Sequence, residues 1–403
     1  MLKTIVSDFI FNGEFIANKM AWSELNSKYT REEIKNALIE HILVDEIKFP
    51  YVPISEEECK QEFLDMKNSD IIDFSYADNI DIKYPLEHKT SNLYLKIASL
   101  GNKASNYFHQ VSRMKCGHNK CISPSEVWKS KEDLFKCLNA LWTLKYDEIK
   151  RDTFMRALNM RYYVAAQFKP IIAKSIYTMF NARKVLDTSS GWGDRLCGFF
   201  ACENTESYLG VDPNTSLHDG YNKQIEFYNS LIDKKKSARV ICDGAENLNF
   251  KDYGTFDFVF TSPPYFNTEH YSNDEKECWL KFKSDNDWLN NFLFVWMKNA
   301  NDALEENGYI VVNISDIVTN GKRVLICDPM IEFATKELGM NYIGEFAMAM
   351  TPRANVINKV DKGTVYGEPV FVFKKGEPST DEYSVDYQIM NNKINKPSIF
   401  DMF

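Results

Sequence analysis

With 403 residues, 44% of them apolar and 26% charged, the chain has material for two domains with cores of their own, which excludes a globally disordered or fibrous protein. No run of about 18 apolar residues is present, which argues against a spanning helix and a membrane partner, and Met1-Leu2-Lys3-Thr4 lacks the charged and apolar regions of a secretory signal, so the expected compartment is the cytosol. The net charge of −9 argues against a nucleic-acid partner only until its distribution is examined.

In chain order, residues 1–150 read as a mainly helical region, with helical stretches at 31–43 and 131–144 and a Pro-bearing break at Phe49-Pro50-Tyr51-Val52-Pro53. Nine scattered cysteines form no disulfide framework. Cys116-Gly117-His118-Asn119-Lys120-Cys121 offers part of a zinc site, but no second close pair completes four ligands, so no metal is expected. Residues 101–183 are a basic island with 15 basic and 6 acidic groups between acidic flanks. Arg113, Lys115 and Lys120 lie there, as do Tyr107, Phe108, Trp128 and Trp142. Cations neutralise phosphates and aromatic rings stack on bases, which makes the island a candidate nucleic-acid surface. A solvated face over a core fits the composition equally well.

From about residue 151 the pattern changes. Ile172, Ile176, Met179 and Phe180 recur at helical spacing behind Pro170, a residue suited to a first helical turn. Short apolar runs then alternate with helical patterns, as in a parallel sheet with crossover helices. Strands are expected at 185–187, 208–211, 239–242, 256–260, 309–314, 342–350 and 370–373, and helices near 194–202, 216–231, 288–304 and 329–338. A polar stretch from Gly376 reads as a flexible tail.

The first of these strands ends in Asp187-Thr188-Ser189-Ser190-Gly191-Trp192-Gly193 and leads into a helix, where glycines permit close approach of a ligand to free amides. Asp212 and Asp243 end the next two strands, where carboxylates can accept from ribose hydroxyls or an adenine amino group. The fourth strand runs directly into Thr261-Ser262-Pro263-Pro264-Tyr265-Phe266.

In this order and context, residues 160–375 resemble the amino-group (N4-cytosine/N6-adenine) DNA methyltransferases, whose Ser/Asp/Asn-Pro-Pro-aromatic signature occupies this place. The resemblance implies an α/β fold: a Rossmann-like S-adenosylmethionine-dependent methyltransferase domain with a seven-stranded, mostly parallel sheet over 151–375, behind a helical region, 1–150, open to nucleic-acid recognition. It implies S-adenosylmethionine as cofactor and DNA as partner. Ser262 and the Pro263 carbonyl would accept the hydrogens of a base amino group, Pro264 would hold the backbone extended and Tyr265 would stack on a flipped base. Phe168, Pro170, Asp187, Ser189, Gly191 and Gly193 would border the methionine portion of the cofactor, Asp212 its ribose and Asp243 its adenine. The segment 367–375, which opens Gly367-Glu368-Pro369-Val370, resembles the closing Glu-x-hydrophobic strand of the family. The Gly loop departs from the family's more usual Asp-Pro-Phe-x-Gly-x-Gly, and no long insertion serves as a recognition domain. Recognition is therefore expected from 1–150 and from loops at 267–283 and 352–366.

Ser at the first motif position leans toward cytosine N4, and no Cys follows a Pro, as carbon-5 chemistry would need. RNA methylation, a catalytically silent DNA-binding protein and, last, protein glutamine methylation are the rivals. The terminus, with Ile399, Phe400, Met402 and Phe403 at the end of the tail at 376–403, resembles the sliding-clamp-binding peptide of T-even-type phage DNA polymerases, which suggests a phage origin and a clamp partner. A tail docking on its own domain is the alternative.

Overall fold

The structure is a computed structural model that describes residues 3–82, 92–319, 321–351 and 363–376. It divides into two units. Unit one comprises Met1–Ile54, Gln110–Ala166 and Glu269–Ser272, and unit two comprises Ser55–His109, Gln167–Thr268 and Asn273–Phe403. The boundary expected at residue 150 thus falls within unit one, while 55–109 fold with the larger unit.

Unit two is built on a sheet whose seven main strands are β1 (Lys184–Asp187), β2 (Ser207–Val211), β3 (Ser237–Ile241), β4 (Phe256–Thr261), β5 (Leu304–Asn313), β6 (Asn341–Ala349) and β7 (Val365–Lys374). These are the seven strands expected from the apolar runs. Their spatial order is β3-β2-β1-β4-β5-β7-β6. Strands β1 to β5 run parallel to one another, and β7 is antiparallel to both β5 and β6. The order reverses between β1 and β4, and in open α/β sheets ligands bind outside the carboxyl ends of strands at such a switch point.

Three short strands, Phe74–Tyr76, Ile80–Ile82 and Leu93–Leu95, extend this sheet to ten. They come from the stretch expected to be helical. The same stretch supplies helix Glu56–Asn68, whose last carbonyls are capped by a buried lysine: Lys174 Nζ donates to the carbonyls of Met66 (2.8 Å), Lys67 (3.0 Å) and Ser69 (2.6 Å). Phe63 on that helix stacks on Tyr228 with ring centroids 4.4 Å apart. Those contacts are why 55–109 belong with the sheet and not with their sequence neighbours.

Helix α1 (Pro170–Met179) starts at Pro170 and is buried along nearly its whole length. It packs on α2 (Asp194–Ala201), and Gly198 makes the close approach possible, since a Cβ there would lie 2.7 Å from the Cβ of Ala173. On one face of the sheet Phe258 and Phe260 of β4 meet Tyr177 and Phe180. Across the other face lie Trp288, Phe292, Trp296, Met297 and Ala300, carried by a helical run that contains a π-turn at Leu289–Leu293.

Unit one has its own core, in which Phe15, Trp22, Ile34 and Leu38 pack with Val127, Trp128, Leu141 and Phe154. Its helix Arg31–Leu43 opens with a capping box between Thr30 and Glu33. Among the described residues no helix is long and apolar enough to cross a membrane.

Candidate active site

The site is assembled from the turns that follow β1, β2, β3 and β4 on one edge of the sheet. The turn after β1 rests on a buried carboxylate. Asp187, with no solvent exposure, accepts from Arg195 Nε (2.8 Å) and Nη2 (3.1 Å), from the Tyr208 hydroxyl (2.7 Å) and from the Ser189 amide (3.1 Å). Arg195 also donates to the Ser189 carbonyl. Burial works against the guanidinium's charge, but Asp187 outweighs it and keeps Arg195 firmly cationic. Asp187 is thus engaged beneath the loop and fixes its shape. Arg195 escaped sequence reasoning because nothing local pairs it with a carboxylate eight residues earlier.

Above this pair the loop runs through Gly191 and Gly193, with left-handed φ of 58° and 70°. Beside Gly191 the space is open: only the Ser189 carbonyl, at 3.9 Å, lies within 4 Å of where a Cβ would be. Gly193 is enclosed, its Cβ position lying 2.2 Å from Gln224 Oε1 and 2.9 Å from His109 Nε2. Gln224, on helix α3 (His218–Ser230), donates to the Gly193 carbonyl at 2.8 Å and is 3.1 Å from the buried His109 ring. Burial holds the His109 imidazole well below its ordinary pKa, at about 4. The Ser105 hydroxyl and Gln167 (2.8 Å) both donate to Asp194 at the start of α2.

Asp212, at the end of β2, receives the Gly191 amide on Oδ2 (2.9 Å) and the Asn214 amide on Oδ1 (3.0 Å). Burial lifts its carboxyl to about 7, although those amides and the Tyr221 hydroxyl pull the other way. Asp243, after β3, concentrates its donors on Oδ1, which takes the Gly244 amide and Asn247 Nδ2 at 2.8 Å each and lies 3.5 Å from Lys276 Nζ. Burial raises its pKa, but those donors outweigh burial and the net shift is downward. Phe168 lies edge-on to Phe260, its ring 5.4 Å from the Arg195 guanidinium. Phe168, Asp187, Ser189, Gly191 and Gly193 are therefore grouped around the β1 turn, Pro170 lies beside Gly198 of α2, and Asp212 and Asp243 follow in succession along the edge.

These features fit S-adenosylmethionine: an open cradle at Gly191, and a buried carboxylate after β2 and a half-buried one after β3, each with acceptor capacity left.

The Ser262 to Tyr265 motif leaves β4 next to this turn, and a hydrogen bond between Thr188 and Thr261 hydroxyls (3.1 Å) joins the two. Pro263 is buried, and Ser262, Pro264 and Tyr265 are half-buried. The Ser262 hydroxyl makes no hydrogen bond among the described residues. The Tyr265 hydroxyl donates to Glu368 Oε1 at 2.9 Å and is 3.3 Å from the Asn313 carbonyl. Phe266 then turns the chain with a φ of 51°.

The basic island divides: 110–166 lie in unit one, and the rest in unit two. Lys115 and Lys120 are exposed, while Arg113 donates to the Ala165 carbonyl at 3.0 Å. Three of the aromatics expected to face bases are taken up by packing. Trp128 lies in the core of unit one, Trp142 packs on Trp22 and donates to Asn26, and Phe108 packs on Phe227 and Tyr228. Composition alone cannot separate a stacking platform from a core. Residues Glu269 and His270 pair with His118 and Gly117 in unit one, where Glu269 accepts from Tyr163 and Tyr271. Among the described residues no group of three or more His, Cys, Asp or Glu is arranged to hold a metal ion. The apolar terminus with Ile399, Phe400, Met402 and Phe403 lies outside the described residues.

The strand order and the Gly turn define a Rossmann-like, S-adenosylmethionine-dependent methyltransferase fold. Residues 256–400, a stretch shorter than half of the chain, match the DNA methylase family of N6/N4 type. Comparison with curated proteins gives no match. Among solved structures, an S-adenosylmethionine-dependent O-methyltransferase of Thermotoga maritima is 10% identical, with 55% of this chain and 71% of that chain covered and a TM-score of 0.34. TrmN of Thermus thermophilus is 13% identical over 53% of this chain and 51% of its own, with a TM-score of 0.32. An rRNA methylase of Streptococcus thermophilus is 14% identical over 53% of this chain and all of its own, with a TM-score of 0.30. Likenesses this weak say nothing of substrate or partner.

A carboxylate accepts from ribose hydroxyls better than a carboxylic acid does, so affinity for S-adenosylmethionine should rise as pH increases through about 7 and level off above it. Replacing Asp212 with Ala should cost about 1 to 3 kcal/mol of binding and flatten that profile; calorimetry showing unchanged affinity would place the cofactor elsewhere. Gly193→Ala should weaken binding further, because the added methyl would force both Gln224 and the backbone to move. A wild-type dissociation constant for this variant would show that the loop's shape does not matter.

Proposed function

We propose that the protein transfers a methyl group from S-adenosylmethionine to an exocyclic amino group of a base in DNA, cytosine N4 in preference to adenine N6. The observation that carries this is the exit of Ser262-Pro263-Pro264-Tyr265 from β4 at the switch point, joined to the Gly turn of β1 through Thr188 and Thr261. The base preference rests on Ser262 standing first in the motif.

A base amino nitrogen is a weak nucleophile because its lone pair is delocalised into the ring. In this reading the Ser262 hydroxyl and the Pro263 carbonyl accept its two hydrogens, favouring a pyramidal nitrogen whose lone pair is directed at the methyl group. Pro264 adds no backbone donor to compete, and it restricts Pro263 to extended backbone. Tyr265 supplies an apolar face for a base taken out of the helix. The cofactor, when bound, supplies an electrophilic methyl on a sulfonium. Phe168, Pro170, Ser189, Gly191 and Gly193 hold its methionine portion, Asp212 its ribose and Asp243 its adenine, while Asp187 keeps the loop in place. Recognition falls to unit one, through Arg113, Lys115 and Lys120. On sequence resemblance alone, Ile399, Phe400, Met402 and Phe403 are assigned to a sliding clamp and the chain to a phage.

Pro263→Ala and Tyr265→Ala should lower the rate of methyl transfer far more than cofactor affinity, since both groups address the base. Mass spectrometry of nucleosides from DNA and RNA incubated with the protein and S-adenosylmethionine should show N4-methylcytosine in DNA. Methylated RNA alone, or cofactor binding without any methylated base, would refute the reading.

Reversing Arg113, Lys115 and Lys120 to Glu should weaken DNA binding and reduce the slope of its salt dependence by about 3 or more, given roughly one released counterion per lost phosphate contact. An unchanged slope in a fluorescence titration would show that these charges do not meet phosphate.

A further inference from the structure

Strand β7 is paired along one edge by two different strands. Residues Val365, Tyr366 and Gly367 pair with Ile80–Ile82, and Val370 to Lys374 pair with β5, which ends at Asn313 opposite Val370. Glu368 and Pro369 fall between these partners. Pro369 has no amide hydrogen to offer, and it restricts Glu368 to extended backbone. Two side-chain contacts fill the interval: Asn313 Nδ2 donates to the Pro369 carbonyl at 3.1 Å, and the Tyr265 hydroxyl donates to Glu368 Oε1 at 2.9 Å.

Tyr265 is held at both ends. Its backbone belongs to a tight turn, with the Phe266 amide 3.0 Å from the Pro264 carbonyl and the Thr268 amide 3.2 Å from the Tyr265 carbonyl. Its ring packs against the core that includes Trp288 and Ile314. The hydroxyl is the remaining point, and a carboxylate is a stronger acceptor for it than a neutral group. A ring fixed at three points has one tilt.

We propose that Glu368 is a positioning residue for the methyl-transfer reaction: by accepting from the Tyr265 hydroxyl in the interval between two strand partners, it sets the plane on which the target base stacks. This rests on the methyltransferase reading above. A base that stacks at the wrong angle presents its amino group off the line of transfer, and misplacement of about 1 Å can cost on the order of a hundredfold in rate.

The test is a double-mutant cycle in single-turnover methyl transfer, with unmethylated double-stranded DNA of mixed sequence and radiolabelled S-adenosylmethionine. Glu368→Ala and Tyr265→Phe should each slow transfer about ten- to a hundredfold, and the double variant should be no slower than Tyr265→Phe, because that change already removes the hydrogen bond to Glu368 together with the longer contact to the Asn313 carbonyl. Glu368→Gln keeps an acceptor oxygen and should recover most of the rate. Cofactor affinity and melting temperature should not change. Multiplying losses, a wild-type rate for Glu368→Ala, or Glu368→Ala losing cofactor affinity in step with rate would each overturn the proposal, the last by giving Glu368 a merely structural part. A wild-type protein that methylates no DNA would instead overturn the methyltransferase reading, and the positioning role with it.

Discussion

The carboxyl edge of the sheet depends on the buried pair of Asp187 and Arg195. A carboxylate and a guanidinium removed from water are tolerated only when each is nearly fully hydrogen-bonded. Here the carboxylate takes four donors, and the guanidinium returns one to the loop carbonyl it supports. The pair links β1, β2 through Tyr208, the Gly turn and the start of α2. Removing either partner would leave an uncompensated charge, a loss of about 3 to 5 kcal/mol in comparable buried pairs. The Gly turn therefore has a defined shape although two of its residues have left-handed backbone.

Three acidic residues end three successive strands, yet their surroundings give them different capacities. Asp187 is saturated by protein donors and acts as a scaffold. Asp212 receives one amide on each oxygen, which orients the carboxylate and leaves acceptor capacity on both. Asp243 gathers its donors on one oxygen. The gradient from closed to open runs along the edge from β1 toward β3, the direction of the cofactor site proposed above.

The seven main strands could be read from the chain because each is a short apolar run bounded by turn residues, a signal that burial on both faces reinforces. Much else could not. Phe74–Tyr76, Ile80–Ile82 and Leu93–Leu95 are three residues each, too short for a period to show. The membership of 55–109 in the larger unit depends on Lys174 and Tyr228, more than a hundred residues away. Trp128 and Trp142 looked like candidates for stacking on bases because they lie among cations, but their rings complete the packing of unit one. The motif itself marked Tyr265, whereas its partner Glu368 appeared only as part of a strand signature. A hydrogen bond between residues 103 positions apart leaves no local trace.

Unit one is made of three separated segments, 1–54, 110–166 and 269–272, and its core draws on the first two together, with Phe15 and Trp22 packed among Val127 and Phe154. No single cut of the gene can release it whole, and a fragment that begins after residue 54 would leave Val127 and Phe154 without the apolar groups that cover them. Recombination between related genes would meet the same obstacle: an exchange of the first unit must bring all three segments from one parent, including four residues that lie just downstream of Pro263-Pro264-Tyr265. The topology thus ties the inheritance of the smaller unit to that of the motif.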